Sequence, residues 1–474
     1  MKTLDEKITN AFPEESVIKI PQNYSVFAGK NLPSFIKDYL VKRYTDKSGI
    51  LDKRSILKFL EDHIPSKDND LKNRLRTHRE DVKVLTRFIV ETDLKNDRLL
   101  FSVPDLGIKS NEGRIPDHIA KKNKELKDGE LWGVITLVYQ PPADREKGYI
   151  ELVEYKAFKP YRVDLDYYRE ARKDFEVTEW IDLLIRSMEY NPNGFDSLSQ
   201  KLMFLSRILI FVEPRLNLIE LAPKGTGKSY IFGNLSKYGW MISGGKVTRA
   251  KLFYDMSKKS MGAITLYDFV TMDEIQTITF SDSAEIQAAL KSYLEFGYTT
   301  VANVKLISQA GLIIMGNISL SSDKKPIRSK YFTELPETFK ESALLDRFHG
   351  FIEGWKLPRI SEDLKINGWT LNVEYFSEIL HELREKSVYS TIVNDLIDIP
   401  AKADTRDTTA VKRLATAYLK MLFPQVSNKE DITKDEFFTY CLKPALEKRQ
   451  IIRSQIHMID EEFSDEMPDI KLKN

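Results

Sequence analysis

The sequence predicts an α/β fold whose centre is a parallel sheet, preceded by a small antiparallel β domain and followed by helices. Two observations lead to this prediction. From residue 216 onward, short apolar runs alternate with segments of helical periodicity, which is the pattern of strands and helices in a parallel sheet. Between residues 84 and 155, by contrast, β-rich runs follow one another with only turns between them.

These changes in sequence pattern divide the chain into four regions. Residues 1–75 have helical periodicity, 76–165 form the OB-like β domain, 166–360 hold the α/β core with its preceding helices, and 361–474 form a helical lid. The strands expected in the β domain are Val84–Val90, Leu99–Val103, Leu131–Tyr139 and Tyr149–Tyr155. The strands expected in the core are Leu216–Leu221, Ile264–Met272 and Gly311–Met315. The longer helices expected are Thr178–Met188, Ser197–Val212, Ser283–Phe296, Thr408–Phe423 and Lys434–Ile459.

Composition excludes several classes of protein. The chain has 474 residues with 72 basic and 71 acidic side chains, so any nucleic-acid surface must be local. Its one cysteine, Cys441, excludes an internal disulfide framework and a Cys-rich zinc site. The N-terminus lacks the apolar segment of a signal peptide, and the apolar run Leu202–Val212 is too short to cross a bilayer. We therefore expect a cytoplasmic protein without a membrane partner.

A Gly-rich loop follows the first core strand and precedes a helix. It reads Ala222, Pro223, Lys224, Gly225, Thr226, Gly227, Lys228, Ser229. Glycines let the backbone N–H groups point at phosphate, the lysine reaches the terminal phosphates of ATP, and the serine hydroxyl is a ligand for Mg²⁺. Ala222 stands where the usual pattern has glycine, so the backbone there must be ordinary. The loop predicts ATP and Mg²⁺ as cofactors; a chance Gly-rich turn is the alternative.

Polar residues end the next two predicted strands. Asp273 and Glu274 follow a mostly apolar strand, where Asp273 suits Mg²⁺ and Glu274 suits activation of water. An acidic cap of the following helix is the alternative. Asn317 ends the run Gly311–Asn317, which contains the next strand, and suits orientation of the same water, or is simply a turn residue.

These elements, in this order, resemble the AAA+ ATPases, and the segments that follow resemble MCM helicases. Ser342–Phe348 looks like the MCM arginine-finger segment, with Arg347 at the matching position. Thr405 to Leu414 is similar to the sensor-2 helix, with Arg406 at the sensor position. The resemblance implies that Arg347 reaches the nucleotide of a neighbouring subunit. A surface or ion-paired arginine is the alternative reading.

A closer resemblance is to the BrxL family, MCM-like and Lon-related proteins of BREX phage-defence systems. It rests on the runs Glu179–Ser187, Glu220–Ser229, Ile242–Thr248, Leu252–Tyr254, Leu345–His349 and Gly354–Trp355. The resemblance implies hexameric rings, or dodecamers of two stacked rings, which encircle double-stranded DNA and work with other BREX proteins. Longer members continue into a Lon-like protease domain. The chain stops about where that domain would begin, so we expect a short form without peptidase activity.

Candidate DNA contacts come from basic residues in three places. The stretch from Lys67 to Arg87 includes Arg74, Arg76 and Arg79, and could bind phosphate or be a solvated helix face. Lys305 lies where the MCM pre-sensor hairpin is expected, and Lys258 and Lys259 lie where MCM proteins carry another pore insertion. Unpartnered surface lysines are the alternative in both.

The candidate residues are compatible with three functions. The first is an ATP-hydrolysing ring that moves on or deforms double-stranded DNA. The second is a DNA clamp in which nucleotide gates assembly and turnover is incidental. The third is a AAA+ adaptor that acts on protein partners. The set Lys228, Asp273, Glu274 and Arg347 favours hydrolysis.

Overall fold

The computed structural model describes residues 2–30, 32–46, 50–64, 71–123, 126, 129–143, 147–157, 163–257, 259–301 and 303–473. The chain forms two compact units. One consists of Met1–Gln22, Lys30–Asp38 and Val163–Asn474, and the other of Asn23–Gly29 and Tyr39–Arg162. We call them the large unit and the barrel unit.

The strands are, in chain order, β1 (Ser16–Lys19), β2 (Val82–Asp93), β3 (Arg98–Val103), β4 (Ile108–Ile115), β5 (Gly129–Gln140), β6 (Tyr149–Ala157), β7 (Asn217–Ala222), β8 (Gly239–Val247), β9 (Tyr254–Asp255), β10 (Ser260–Met261), β11 (Phe269–Phe280), β12 (Tyr298–Val301), β13 (Val304–Ile307), β14 (Gly311–Asn317), β15 (Gly350–Glu353), β16 (Gly368–Leu371), β17 (Ile397–Asp398) and β18 (Lys471–Leu472).

The α-helices are α1 (Leu4–Ala11), α2 (Pro21–Tyr24), α3 (Ser34–Tyr44), α4 (Lys53–His63), α5 (Leu71–Asn73), α6 (Asp117–Lys122), α7 (Leu165–Arg172), α8 (Val177–Ser187), α9 (Leu198–Leu205), α10 (Leu209–Val212), α11 (Lys228–Asn234), α12 (Arg249–Leu252), α13 (Ala263–Leu266), α14 (Ser283–Phe296), α15 (Ser342–Leu345), α16 (Val373–Arg384), α17 (Val388–Leu396), α18 (Thr405–Leu422), α19 (Lys434–Phe437) and α20 (Lys443–His457).

The barrel unit contains a closed barrel in the order β2-β3-β4-β6-β5. Neighbouring strands are antiparallel except β4 and β6, which pair in parallel at Gly113 and Ile150. Alternate side chains fill the interior, among them Phe88, Phe101 and Leu137. The predicted β domain is thus confirmed as a five-stranded OB-like barrel. Strand β4 was not predicted, because its sequence IKSNEGRI is too polar to read as a strand.

The large unit is built on a five-stranded sheet in the order β15-β7-β14-β11-β8. Every pairing in it is parallel, as the alternation of strands and helices predicts. Strand β7 is buried along its whole length, which fits an apolar strand covered on both faces. Two of the five strands were not predicted. β8 carries three glycines, and β15 has only four residues.

The predicted strand Ile264–Met272 was wrong at its start. Residues Ala263–Leu266 form the short helix α13, and the strand β11 begins at Phe269. The strand also does not end at the acidic pair. It continues to Phe280, and its pairing with β8 shifts register between Asp273 and Ile278. The carboxylates therefore lie at an irregularity within a long strand.

Two of the longer predicted helices are interrupted. Ser197–Val212 divides into α9, a 3₁₀ turn at Ser206–Ile208, and α10. The hydroxyl of Ser206 donates to the carbonyl of Met203, and such a bond competes with helical hydrogen bonding. Lys434–Ile459 divides into α19, a π turn at Phe438–Leu442, and α20. Pro444 lacks the N–H that a continuous helix would use there.

None of the helices in the described part of the chain combines the length and apolar character needed to cross a bilayer.

Candidate nucleotide-binding site

The Gly-rich loop connects the end of β7 to the start of α11. Gly225 and Gly227 have φ angles of 83° and 78°, which glycine adopts without strain. At Gly227 a β-carbon would also lie 2.1 Å from the hydroxyl oxygen of Tyr190. Any larger residue at position 227 would therefore displace the Tyr190 side chain or the loop.

Ala222 is the last residue of β7, so extended backbone suffices where the usual pattern has glycine. It is fully buried beside Gly354, where an added β-carbon would come within 2.4 Å of the Ala222 methyl group. The missing side chain at Gly354 makes room for the methyl group of Ala222.

Two contacts from outside the loop fix its backbone. The guanidinium Nη1 of Arg207 donates to the carbonyl of Thr226 at 2.8 Å. The backbone N–H of Ile360 donates to the carbonyl of Gly225 at 2.8 Å. Both contacts are made to carbonyl groups of the loop. They therefore hold the loop without using the backbone N–H groups that would bind phosphate.

Arg207 also forms a fully buried ion pair with Glu220 of β7. Its Nε lies 3.1 Å and 3.2 Å from the two carboxylate oxygens. One planar guanidinium thus joins the strand to the loop that follows it. Sequence reasoning did not identify Arg207, although a lone arginine inside the apolar run Leu202–Val212 is a signal, since charged residues are rarely buried without a partner.

Lys228 begins α11 and is only 8% exposed. Its Nζ donates to Oδ1 of Asn317 at 3.1 Å and to the carbonyl of Ala222 at 3.3 Å. Burial lowers the pKa of this amine, while the carboxylates of Glu220 and Asp273 oppose the shift. The structure thus brings two predicted site residues, Lys228 at the start of α11 and Asn317 at the end of β14, into direct contact.

Ser229 and Asp273 also meet. The Ser229 hydroxyl donates to Oδ2 of Asp273, which is buried on β11, an interior strand of the sheet. A hydroxyl and a carboxylate are oxygen ligands of the kind Mg²⁺ takes together with nucleotide phosphates. Within the described ranges, no group of three or more His, Cys, Asp or Glu side chains is placed to hold a metal. The residues present fit a Mg²⁺ ion that arrives with a nucleotide.

Glu274 directly follows Asp273 and points in a different direction. Its φ angle is 49°, a left-handed value that is uncommon outside glycine, and its N–H donates to Oδ1 of Asp273 at 2.8 Å. Asp273 is buried and Glu274 is exposed. The irregularity in β11 therefore directs one carboxylate to the loop and leaves the other facing solvent.

The backbone of Asn317 is held by Gln276 of β11. The Gln276 amide donates to the Asn317 carbonyl at 2.7 Å, and its oxygen accepts from the Asn317 N–H at 3.2 Å. This pair of bonds fixes the end of β14 and so the Asn317 side chain. Gln276 was not identified from the sequence, where a single amide two residues after an acidic pair carries no distinct signal.

Arg347 and Arg406 lie together, with partners outside the Gly-rich loop. Nε of each is 3.0 Å from the same oxygen, Oε2 of Glu295. Arg347 also donates to the carbonyl of Ala343, and Nη1 of Arg406 lies 2.8 Å from Asp346. Burial and the neighbouring Arg406 lower the pKa of Arg347.

Arg449 of α20 supports this pair and was missed from the sequence. It is fully buried and donates from Nη1 to the carbonyls of Asp346 and Phe348, the residues on either side of Arg347. Its Nη2 lies 2.6 Å from the Asp346 carboxylate. The arginine therefore fixes the backbone from which Arg347 projects.

Two of the three lysines proposed to contact DNA, Lys305 and Lys259, lie on hairpins. Lys305 is on β13 of the antiparallel pair β12–β13, with its Nζ 4.5 Å from the ring centre of Tyr298. Lys259 is exposed, with a φ angle of 54°, between the paired strands β9 and β10. Lys258 lies outside the described residues.

The basic stretch of the barrel unit is partly paired within itself. Nε of Arg74 lies 2.8 Å from Glu80, and the guanidinium of Arg79 lies over the ring of Tyr139 at 5.6 Å. Arg76 is exposed. These contacts are compatible with both readings of the stretch, a solvated face with interleaved charges and a surface that binds phosphate. Residues 67–70 of the stretch lie outside the described residues.

Two family models match the chain. The N-terminal model of the BREX system Lon protease-like protein BrxL matches residues 10–139. The ATPase-domain model of Lon-like protease BrxL-like proteins matches residues 150–469, which include every residue of the Gly-rich loop, Asp273, Glu274, Asn317, Arg347 and Arg406.

Two curated relatives, each named Lon-like protease BrxL, are similar over most of the chain. The protein of Escherichia coli O9:H4 (strain HS) is 28% identical over 435 residues, which are 90% of this chain and 61% of that protein. The protein of Bacillus cereus (strain H3081.97) is 28% identical over 470 residues, 97% of this chain and 67% of that protein. The match thus spans about two thirds or less of each relative. Because the ATPase-domain model alone matches more than half of the residues, the chain belongs to the BrxL family of BREX systems.

Proposed function

We propose that this chain is an ATP-hydrolysing AAA+ protein with an MCM-like core, which assembles into rings and acts on double-stranded DNA in BREX defence. The observation that carries the proposal is the convergence of Lys228, Ser229, Asp273 and Asn317 where β7 and β14 end and where the neighbouring strand β11 becomes irregular. Ligands bind at this edge of parallel sheets, and this set of side chains suits a nucleotide triphosphate with Mg²⁺.

The residues have separate tasks in this proposal. The Gly-rich loop surrounds the phosphates with N–H donors, and Lys228 places a positive charge beside them. Mg²⁺, bound with the nucleotide through Ser229 and Asp273, supplies charge neutralisation on the phosphates. Glu274 accepts a proton from the attacking water, and Asn317 orients that water by its amide.

Arg347 supplies the positive charge from a neighbouring subunit. In support, Arg347 binds Glu295 and Ala343 within its own chain, and neither residue belongs to the loop or to the strand ends that hold the nucleotide. Arg406 shares Glu295 and so belongs to the same group. An arginine of this kind stabilises charge on the transferred phosphoryl group when it is supplied in trans. In this proposal, residues 361–474 form the helical lid that carries Arg406.

For DNA, support comes from the hairpin β12–β13. Lys305, Tyr298 and Phe296 place a cation and two aromatic rings together, and the Phe296 and Tyr298 rings stack with their centres 5.6 Å apart. Cations with exposed aromatic rings are a common nucleic-acid-binding combination. The OB-like barrel is a second candidate, through Arg74, Arg76 and Arg79.

The proposal is tested by ATP turnover measured with and without double-stranded DNA across a salt series. We expect turnover to rise on addition of DNA, and the stimulation to weaken as salt increases, because phosphate contacts release counterions. Turnover that does not respond to DNA at any salt concentration, together with no retention of DNA in a filter-binding assay, would remove DNA from the proposal and favour an adaptor for protein partners. DNA binding without stimulation would favour the clamp.

A further inference from the structure

Glu295 lies between the two arginines and is not part of the site described for the nucleotide. It is the next-to-last residue of α14, and one of its carboxylate oxygens is 3.0 Å from Nε of Arg347 and 3.0 Å from Nε of Arg406. The arginines come from segments about 60 residues apart in the sequence, so a single side chain joins them.

The contact with Arg347 is incomplete as a hydrogen bond. Nε of Arg347 is buried, and among the described residues it has no acceptor in a suitable direction, although Oε2 of Glu295 is at ion-pair distance. A buried N–H without a well-aligned acceptor loses hydrogen-bond energy. The Arg347 guanidinium is therefore attracted to Glu295 by charge and still has a donor to offer.

The backbones around this group are fixed, whereas the arginine side chains are partly exposed. Arg215 donates to the Glu295 carbonyl at 2.8 Å, and Arg449 holds the carbonyls on both sides of Arg347. The side chains of Arg347 and Arg406 are 15% and 35% exposed. The arginine side chains can therefore turn away from Glu295 without movement of the backbone that carries them.

We propose that Glu295 is an internal competitor for Arg347 and Arg406: its carboxylate binds the two arginines in the separate subunit, and they leave it for the phosphate of a neighbour's nucleotide. Guanidinium groups bind carboxylate and phosphate oxygens through the same donors, so both contacts cannot be complete together. The cost of leaving Glu295 is subtracted from the free energy of subunit association. This inference rests on the proposed function, since it takes Arg347 to act between subunits.

The test is Glu295→Gln in the full chain, which keeps the size of the side chain and removes its charge. ATP turnover per subunit is measured against protein concentration, with sedimentation in a non-hydrolysable ATP analogue as a second measurement. The concentration for half-maximal turnover should fall about three- to tenfold, since partly exposed ion pairs of this kind are weak. Glu285→Gln is the control, because Glu285 is on the same helix and pairs with one arginine, Arg249. It should leave that concentration unchanged.

An unchanged or higher half-maximal concentration in Glu295→Gln would overturn the inference and make Glu295 a structural or preorganising residue. If Glu295→Gln does not fold, Glu295→Asp is the second variant. It keeps the charge but shortens the side chain, and should lower the concentration for half-maximal turnover by a smaller factor.

Arg347→Ala separates this result from the proposed function. If Arg347→Ala is inactive and neither Glu295 variant shifts association, this inference alone fails. If Arg347→Ala retains full turnover, the proposed role of Arg347 fails too.

Discussion

Nζ of Lys228, at the start of α11, donates a hydrogen bond to Oδ1 of Asn317, 3.1 Å away at the end of β14. The contact orients the Asn317 amide so that its oxygen faces the lysine and its NH₂ group is directed elsewhere. For Asn317→Ala we expect kcat for ATP hydrolysis to fall about 10- to 100-fold, since a polar group that orients water acts mainly in the transition state.

Nucleotide affinity is the control for that variant. Lys228 keeps its contact with the Ala222 carbonyl, so the dissociation constant of a fluorescent ATP analogue should change little. A large loss of affinity with kcat unchanged would show that Asn317 supports binding and not hydrolysis.

Glu274 is exposed beside a buried Asp273, which suits a base that meets water at the mouth of the site. For Glu274→Gln we expect ATP turnover to fall about 100- to 10,000-fold, because general-base catalysis contributes on that scale. ATP should still bind, and ATP-bound oligomers should accumulate on double-stranded DNA in a filter-binding assay. Unchanged turnover would remove Glu274 from its proposed role.

The buried pair Arg207–Glu220 supports both stability and the loop. Arg207→Met leaves Glu220 buried without its partner, which should cost about 3–5 kcal/mol of unfolding free energy and weaken ATP binding, since the Thr226 carbonyl loses its donor. Thermal unfolding and nucleotide titration measure the two effects.

The double variant Arg207→Met/Glu220→Met separates these effects. Removal of both charges should recover most of the stability, because an apolar pair can replace a buried ion pair. It should not recover ATP affinity, since the contact with Thr226 is still absent. Recovery of both would show that Arg207 acts only through stability.

Lys448 of α20 is buried, and burial lowers its pKa to about 8, with Glu353 opposing the shift. Below pH 8 the amine is protonated in both folded and unfolded chain, and the folded state bears the full cost of the buried charge. Between pH 8 and about 10.5 the folded state releases the proton first, so this cost is relieved.

For Lys448→Met we therefore expect a higher midpoint of thermal unfolding at pH 7, with a gain of at most about 3 kcal/mol, and a smaller gain at pH 9.5. Lys443→Met is the control, because Lys443 is exposed on the same helix. A gain for Lys448→Met that is equal at both pH values would mean that the charge of Lys448 is not the cause.

The structure confirms the features that were predicted from a pattern of neighbouring residues in the sequence. The parallel sheet followed from apolar runs such as β7 and β14, and the barrel from β-rich runs with turns between them. Strand β8 could not be predicted, since its glycines give it low β-propensity and its pairing with β11 stabilises it instead. The extension of β11 past Asp273 depends on the same pairing.

The supporting residues of the site could not be predicted because their partners are distant in sequence. Arg449 holds the backbone around Arg347 from 102 positions away, and Glu295 meets Arg406 of α18 by a side-chain ion pair while α14 packs against α15. Arg207 lay in a run read as one continuous helix, and only the 3₁₀ turn places it behind the loop. Such contacts are set by tertiary structure, on which local patterns carry no information.

The central claim is that ATP is hydrolysed at a site shared by two subunits. The most direct test is ATP turnover of Lys228→Ala and Arg347→Ala, each alone and mixed in equal amounts. Each variant alone should be inactive. In the mixture, about one quarter of the interfaces should join an intact loop to an intact Arg347, and turnover should return in proportion. A mixture that stays inactive, although the two variants are shown to assemble together, would contradict the shared site.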